Sequence, residues 1–499
     1  MISEALEREI QELKRENMLL KAELAQLKKM IFDARRERFV ADQDPKQGVL
    51  FAGQASQEEA GLIEVEQEAR RPSKKKKLKR IVTRNTFPDS LPRITEVIEP
   101  EGVELEQTIQ IGEDITETLG YIPGSLHVKQ LIRPRRVIKG KEDEGVRQAS
   151  IPPRLIPRGM VDESLVAHLI IEKILFHTPV HRFRKKLKQA GVGFISEQNL
   201  YNWFHAAAAQ LIPLCDLFKA DLLSQDYLQC DETRIQVLSK NKPGASIRGQ
   251  MWGIYQPQLQ AVFFEYHPSR STNAAQALLK GFEGTLQVDG YTSYETLAKR
   301  SPIELIYCMA HVRRKFFEAQ NTDPPRAEYF LRQVQQLYQV ERQARQNKLT
   351  HEQRYAVRQE KSLPILEHLE QWLKDQLVSA EVLPQSPIGK AIAYALPRWQ
   401  GLCTYAHDGR FEIDNNLVEN CIRPVALGRK NYLFAGSDEY AEHLAYLYAI
   451  IGTADKYGLN MQRYLTWLLR QVASCKITSG ALEWLPHRMT QQKLNDFRD

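Results

Sequence analysis

YLQCDETRIQVL, Tyr227–Leu238, is the stretch on which the fold turns. Its aromatic, β-branched and Thr positions suit a pleated strand. Asp231 stands in the middle of that strand, with no local turn to serve. A carboxylate withdrawn from water costs several kcal/mol unless it is paired or metal-bound, so Asp231 calls for partners from elsewhere in the chain. Downstream, GQMWGIYQPQ and AVFFEYHP read as two further short strands separated by turn residues, consistent with three antiparallel neighbours. A helix (STNAAQALLKGF), a strand (TLQVDGY), a helix near YETLAKR and an apolar strand (IELIYCM) follow. Three strands and then alternating helix and strand predict an α/β domain, its first part over 223–317.

The fourth strand ends on a second acid, Asp289, which the following GYTSY turn could also serve. If the first and fourth strands are neighbours, Asp231 and Asp289 meet. A polar helical stretch, 318–400, then reads as an insertion dividing the domain. The domain is completed over 401–437, where DGRFEIDNNLVENCIRPVALGRKNYLFAGS crowds acid, amide and guanidinium groups together. If Asp414 caps a helix beginning at Asn415, Glu419 and Arg423 share one face of it. A helix carrying Glu419 could then close a three-carboxylate cluster. Oxygen ligands of that kind suit two Mg²⁺ or Mn²⁺ ions far better than zinc. Glu412 looks peripheral, and Glu232 points to the opposite face of its strand from Asp231. Asn415 and Asn416 are expected to shape the loop, to which Arg423, Arg429 and Lys430 add basic groups. His311, Arg313, Arg314 and Lys315 open a helix after a strand end, where phosphates are favoured; a basic solvated face is the alternative. Amphipathic helices are expected over 438–499.

Upstream, Leu6, Leu13, Leu20 and Leu27 are spaced seven apart, with Ile10, Asn17, Leu24 and Ile31 at the alternate heptad position. Residues 1–35 therefore read as a parallel two-stranded coiled coil, because paired asparagines satisfy each other in that register; one amphipathic helix packed on its own chain is the alternative. Deleting residues 1–35 is expected to lower the oligomeric mass in light scattering, and an unchanged mass would remove the coiled coil. Residues 36–91 form a linker carrying RRPSKKKKLKR. Residues 92–150 alternate β-branched runs with Gly/Pro turns, a small β-rich module. Over 151–222 three helices joined through Gly191 and Gly193 resemble a helix-turn-helix, with Ser196 as N-cap. There Arg182, Arg184, Lys185, Lys186 and Lys188 would meet phosphates, while Gln198, Asn199 and Asn202 could read bases. An ordinary bundle with a basic exterior is the alternative.

At 499 residues the chain has room for roughly three domains of about 150 residues each. With 42% hydrophobic and 26% charged residues it has an ordinary soluble composition, and no run approaches the roughly 18 apolar residues of a membrane span. The charged start lacks a secretory signal core, so a cytoplasmic location is expected. Six scattered cysteines without a CxxC pair argue against a zinc ribbon and a disulfide framework. The net charge of +7 is modest, but the basic residues cluster, favouring a polyanionic partner over a membrane.

The series DET at Asp231, DGYTSY at Asp289, CMAHVRRKF at Cys308–Phe316 and the long motif at Asp408–Ser437 resembles the transposases of insertion-sequence family 66. The resemblance extends over HTPVHRFRKKLKQAGVGFISEQNLYNWF and IIGTADKYGLNMQRYL to the N-terminal heptads. It implies a multidomain α/β chain with a ribonuclease-H-like mixed sheet and helical insertion, preceded by coiled coil, β-rich module and helix-turn-helix-like region. It also implies that Asp231, Asp289 and Glu419 are the catalytic, metal-binding D, D and E, with two Mg²⁺ or Mn²⁺ ions, that Asn415 and Asn416 shape the loop or touch DNA, and that Arg423, Arg429 and Lys430 are candidates for DNA contact. The partners implied are double-stranded DNA (terminal inverted repeats and target), a homodimer or higher homo-oligomer through residues 4–35, and accessory proteins of the same element. The location implied is bacterial cytoplasm, at the nucleoid when DNA-bound. Two departures stand out. Many members carry paired CxxC motifs where residues 92–140 hold no cysteine, so no zinc is expected there, and Ala426 stands where some related enzymes place Lys or Arg. A ribonuclease-H-like nuclease without strand transfer, or a catalytically silent DNA-binding regulator, are the alternatives.

Overall fold

Where β-branched and aromatic residues alternate between Arg93 and Ile138, the chain pleats into three strands, β1 (Arg93–Val97), β2 (Thr108–Ile122) and β3 (Ser125–Ile138). β2 and β3 pair antiparallel across a tight turn at Gly124, whose φ of +89° suits a residue without a Cβ, and β1 runs parallel to β3 on its other side. The computed structural model describes residues 87, 89, 91–99, 108–122, 124–138, 146–239 and 245–495. The heptads of 4–35 and the basic tract of 70–80 lie outside the described residues. All described residues belong to one compact unit.

The small sheet docks on a helical region through backbone bonds, Leu119 N–H to Met160 O (2.8 Å) and Asp162 N–H to Leu119 O (2.7 Å). α1 (Glu163–Ile174) is capped by Asp162, whose carboxylate accepts Ser164 N–H. α2 (Val180–Gln189) buries Val180, Phe183 and Leu187 and turns its basic residues outward. Gly191, at φ +85°, reverses the chain into α3 (Glu197–Leu223), where Ser196 accepts Asn199 N–H. α3 runs on for 27 residues with a proline inside it. Pro213 removes one ladder bond, but Leu211, Leu214, Cys215, Phe218 and Leu222 are all fully buried, and that packing outweighs the break.

The central sheet is built from β4 (Tyr227–Leu238), β5 (Ser246–Gln256) and β6 (Ala261–His267), then α4 (Thr272–Leu278), β7 (Gly284–Val288), α5 (Thr292–Ala298) and β8 (Ile303–Tyr307). Its strand order is β6-β5-β4-β7-β8; the first three pair antiparallel, whereas β4–β7 and β7–β8 are parallel. The first and fourth strands are thus neighbours, as the meeting of the two acids requires. α6 (Met309–Ala319) follows, and then the helical stretch α7 (Pro324–Gln346), α8 (His351–Val357), α9 (Leu363–Val378), α10 (Pro387–Ala395) and α11 (Trp399–Cys403). These helices close a second apolar core around Phe316, Phe330, Leu366 and Trp399, which α6 shares. The larger core joins the sheet to α1–α3 and to α12 (Asn416–Tyr432), α13 (Asp438–Lys456) and α14 (Met461–Ser474), before the short α15 (Gln491–Asn495). None of the helices among the described residues is long and apolar enough to cross a membrane.

Candidate active site

Parallel pairing of β4 with β7 runs from Tyr227↔Thr285 to Gln229↔Gln287 and then stops. Asp231 and Asp289 each stand two residues beyond that last pair, at matching positions where the two strands part. Strand ends that splay in this way leave a crevice at the carboxyl edge of a sheet, the place where α/β folds bind ligands. Asp231 remains paired on its other side, opposite Gly253 of β5.

The third acid reaches this edge by way of two buried glutamines. Gln229 Nε2 donates to Asp414 O (3.0 Å), and Gln229 Oε1 accepts Val418 N–H (3.2 Å), which pins the first turn of α12 onto β4. Gln287 Nε2 donates to Glu412 O (2.7 Å), while Gln287 Oε1 accepts from Gln229 Nε2 and from Tyr227 OH. Both glutamines precede an acid by two residues and so share its strand face. The sequence reading passed over them. A Gln two residues before an Asp in each of two apolar strands was the available signal.

Asp231 is under strain of charge, and Glu419 carries an unpartnered oxygen. Burial, and then the charges of Glu232, Asp289 and Glu419, push the Asp231 carboxyl well above the usual carboxylate range, although its Oδ1 accepts Glu232 N–H at 2.8 Å. Glu419 Oε1 is buried and accepts no hydrogen bond, with His311 Nδ1 3.9 Å away. A buried carboxylate oxygen without a hydrogen bond, on a residue whose charge reaches Asp231, is the environment a divalent cation relieves. Among the described residues, the groups of three whose ligand atoms all lie within 4.8 Å of one another are Cys308–His311–Glu419 and His205–Glu439–His443; Asp231, Asp289 and Glu419 do not form one. Burial raises the Cys308 thiol well above its ordinary value, and its Sγ accepts Asn415 N–H at 3.2 Å, so oxygen atoms and one imidazole are left to face a cation. That donor set fits Mg²⁺ or Mn²⁺.

Arg270, absent from the sequence reading, ion-pairs with Glu232 and lies 3.9 Å from Asp289, stacked 3.8 Å over the Tyr291 ring. Glu232 also accepts from Tyr294 OH at 2.9 Å. Arg270 thus stands between Glu232 and Asp289, and Glu232 lies near enough to Asp289 for that charge to raise its carboxyl, after burial as the larger cause. Asp289 Oδ1 accepts Tyr291 N–H (2.9 Å), the turn that the sequence allowed. From the helical insertion, Tyr394 OH donates to the Asp289 carbonyl and Arg398 to Gly290 O (3.3 Å).

Several expected contacts are placed differently. α12 begins at Asn416, not Asn415, and its cap position, Asn415, makes no side-chain cap bond. Asp414 nevertheless accepts the Asn416 N–H (3.0 Å), and its other oxygen accepts from Tyr338 OH (2.8 Å). Asn415 is fully buried and donates to Cys230 O (3.0 Å), which takes it out of reach of DNA. Asn416 donates to Asp414 (2.7 Å). Arg429 is spent on Thr233 Oγ1 (2.8 Å) and the Arg234 carbonyl, whereas Arg423 and Lys430 are exposed on α12. Arg313 and Arg314 are half-buried on α6 beside His311.

On α2, Arg182, Arg184, Lys185 and Lys186 are all exposed; Arg184 lies 3.7 Å from Glu197 and Lys186 pairs with Glu172 at 2.8 Å. Gln198 donates to Asn202 at the start of α3. If α2 meets phosphates, replacing Arg182 and Lys185 together by Ala should reduce the slope of log affinity against log salt by about 1.8, roughly 0.9 per contact. Fluorescence anisotropy across a salt series checks this, and an unchanged slope would make that face merely solvated.

A family model described as "Transposase IS66 family" matches residues 158–443, and one described as "Transposase C of IS166 homeodomain" matches residues 19–95. The chain is similar to the uncharacterized protein y4jD of Sinorhizobium fredii (strain NBRC 101917 / NGR234), 33% identical over 501 residues that cover 97% of this chain and 96% of the relative. The uncharacterized protein y4hP of the same organism is 30% identical over 429 residues, covering 79% and 75%. No solved structure matches. The larger matched span contains Asp231, Asp289, Glu419 and the whole helical insertion.

Proposed function

The chain belongs to the IS66 transposase family, and on that premise we propose that it cleaves and joins DNA strands at the sheet edge that carries Asp231 and Asp289, with Glu419 of α12 as the third acid. Membership supports a transposase role and DNA as the partner. The single observation that carries the catalytic reading is the matched placement of Asp231 and Asp289 just past the last β4–β7 pair, with the orphaned Glu419 oxygen held on α12. The frame we infer is ribonuclease-H-like, which the order β6-β5-β4-β7-β8 and its antiparallel-then-parallel pairing support.

In this reading Asp231, Asp289 and Glu419 hold two divalent ions, and His311 orients the Glu419 carboxylate. Bound there, the ions would supply a more acidic water or 3′-hydroxyl and a counter-charge for the leaving oxygen of a phosphodiester. The chain's own groups do the rest. Gln229 and Gln287 hold α12 at its distance from the strands. Arg270 keeps Glu232 occupied, so that this fourth acid does not compete for the ions. Arg423 and Lys430 line α12 where the scissile strand would pass. Water attack breaks the phosphodiester at the element end, leaving a 3′-hydroxyl on the element and a 5′-phosphate on the flanking strand; that hydroxyl then attacks a target phosphodiester, joining to its 5′ side and releasing the target's 3′-hydroxyl. The terminal inverted repeats are bound by α2 and α3, with dimerisation through residues 4–35.

The test is strand joining. Pre-cut element ends and target DNA are incubated with the protein and Mg²⁺, and covalently joined products are expected. Hydrolysis without joining would leave a nuclease. Binding without any metal-dependent chemistry would leave a regulator.

A further inference from the structure

His205 of α3 and Glu439 and His443 of α13, none of them among the three acids, bring three ligand atoms to within 4.8 Å of one another. Glu439 and His443 are one helical turn apart and therefore share a face. α3 packs across that face, so the two imidazoles oppose each other with Nδ1–Nδ1 2.8 Å and ring centroids 5.0 Å apart. His443 is only 3% exposed, His205 is intermediate and Glu439 lies at the solvent rim, which grades the cluster from interior to water. Tyr440 fixes the His205 ring edge-on at 5.0 Å. A neutral pair of imidazoles explains the 2.8 Å contact with one shared proton. It gives no reason for a carboxylate to stand in reach of both rings.

We propose that His205, His443 and Glu439 form a zinc site that pins α3 to α13. Two imidazole nitrogens and one carboxylate oxygen are a borderline-soft donor set that favours Zn²⁺ over Mg²⁺, and the exposed rim leaves a fourth position for water. Zn–N bonds of about 2.0–2.1 Å in a tetrahedron place two nitrogens about 3.3 Å apart, so the rings need to part by only about half an ångström. Burial, the larger cause in each case, keeps both histidines below their ordinary value and hence in the neutral form that a metal requires. The absence of cysteine from 92–140 concerned a thiolate site and has no bearing on this one. Its place in the chain suggests the use. α3 continues from the basic helix α2, and α13 follows directly on the helix that carries Glu419. A metal strut here would tie the helices proposed to bind DNA to the helix proposed to cut it.

The experiment uses untagged full-length protein carrying Asp231→Asn and Glu419→Gln, which disable the three-acid site and the Cys308–His311–Glu419 group. Stripped with chelator, it is dialysed against Zn²⁺ in the presence of saturating Mg²⁺, and bound zinc is counted by mass spectrometry. One zinc per chain is expected. It should be lost on adding Glu439→Gln or His205→Gln, and Co²⁺ in place of zinc should give a tetrahedral visible spectrum that disappears with the same variants. Glu439 is exposed, so its replacement does not threaten folding, and matching melts of the metal-free chains verify this. No zinc uptake, or zinc uptake that survives both substitutions, would overturn the proposal.

Discussion

Asp231→Asn is expected to lower Mg²⁺-dependent strand cleavage by at least about a thousandfold while leaving binding to the terminal repeat unchanged. Asn keeps the size and one oxygen of the side chain but not its charge, and the residue lies on the sheet rather than on the basic helix α2. Cleavage on a labelled end substrate and anisotropy with the same DNA measure the two arms. Undiminished cleavage would take Asp231 out of the mechanism. The variant carries a second signature in the metal-free state. The wild-type carboxyl is pushed well above the usual range by burial and by Glu232, Asp289 and Glu419, so the folded chain holds its proton more tightly than the unfolded chain does. Stability therefore falls as pH rises from the ordinary carboxylate range through that raised value. Asn has no such proton. In chelator the variant should melt higher than wild type at pH 8, and the difference should shrink at pH 4. Equal melting at both would mean that Asp231 bears no such strain.

How much of this was legible from the sequence depends on whether the cause was local. The strands were readable, because β-branched and aromatic runs between turn residues specify themselves, and Asp231 drew notice by breaking that pattern. The neighbour relation of β4 and β7 entered only as a condition, which the pairing from Tyr227↔Thr285 to Gln229↔Gln287 meets. Glu419 could be named only through its motif, since nothing local tells one acid in a helix from another. What escaped was set by distant partners. Gln229 and Gln287 look like polar fillers until α12 is laid across them, and Arg270 meets Glu232 across 38 residues. The burial of Asn415 escaped for the same reason, because beside Asn416 it has the look of an exposed loop residue, and only tertiary packing buries it against Cys230, which leaves it the loop-shaping role and not the DNA contact. The helix start shifted by one residue, yet Asp414 still serves the first free N–H, as a carboxylate near a helix start tends to do.

The helical insertion supplies the other large effect. Glu341 of α7 is completely buried and accepts from Arg358 at 2.7 and 2.9 Å and from Arg354 at 3.0 and 2.6 Å. Burial opposes its charge, but those two guanidiniums hold its carboxyl below the usual range. Arg358, also fully buried, donates onward to the carbonyls of Tyr405 (2.6 Å), Asp408 (2.7 Å) and Phe411 (2.8 Å), and Arg354 pairs with Glu412 at 2.8 Å. This network is what fixes the loop entering α12. Glu341→Ala leaves two buried cations without their shared counter-charge, a loss of about 3–5 kcal/mol. Two apolar cores make all-or-none unfolding a poor assumption, so hydrogen exchange is the better measure than a single melting point. Protection should fall across residues 405–415 and in α7–α8, while β4–β6 keep theirs. Because Glu419 rides on the helix that this loop feeds, cleavage should drop even at temperatures where the sheet remains folded. The isosteric Glu341→Gln retains the shape but only part of the bonding and should fall between the two. Full protection of 405–415 in Glu341→Ala would show that Gln229 and Gln287 alone suffice to hold α12 in place, and that the insertion has no part in presenting the third acid.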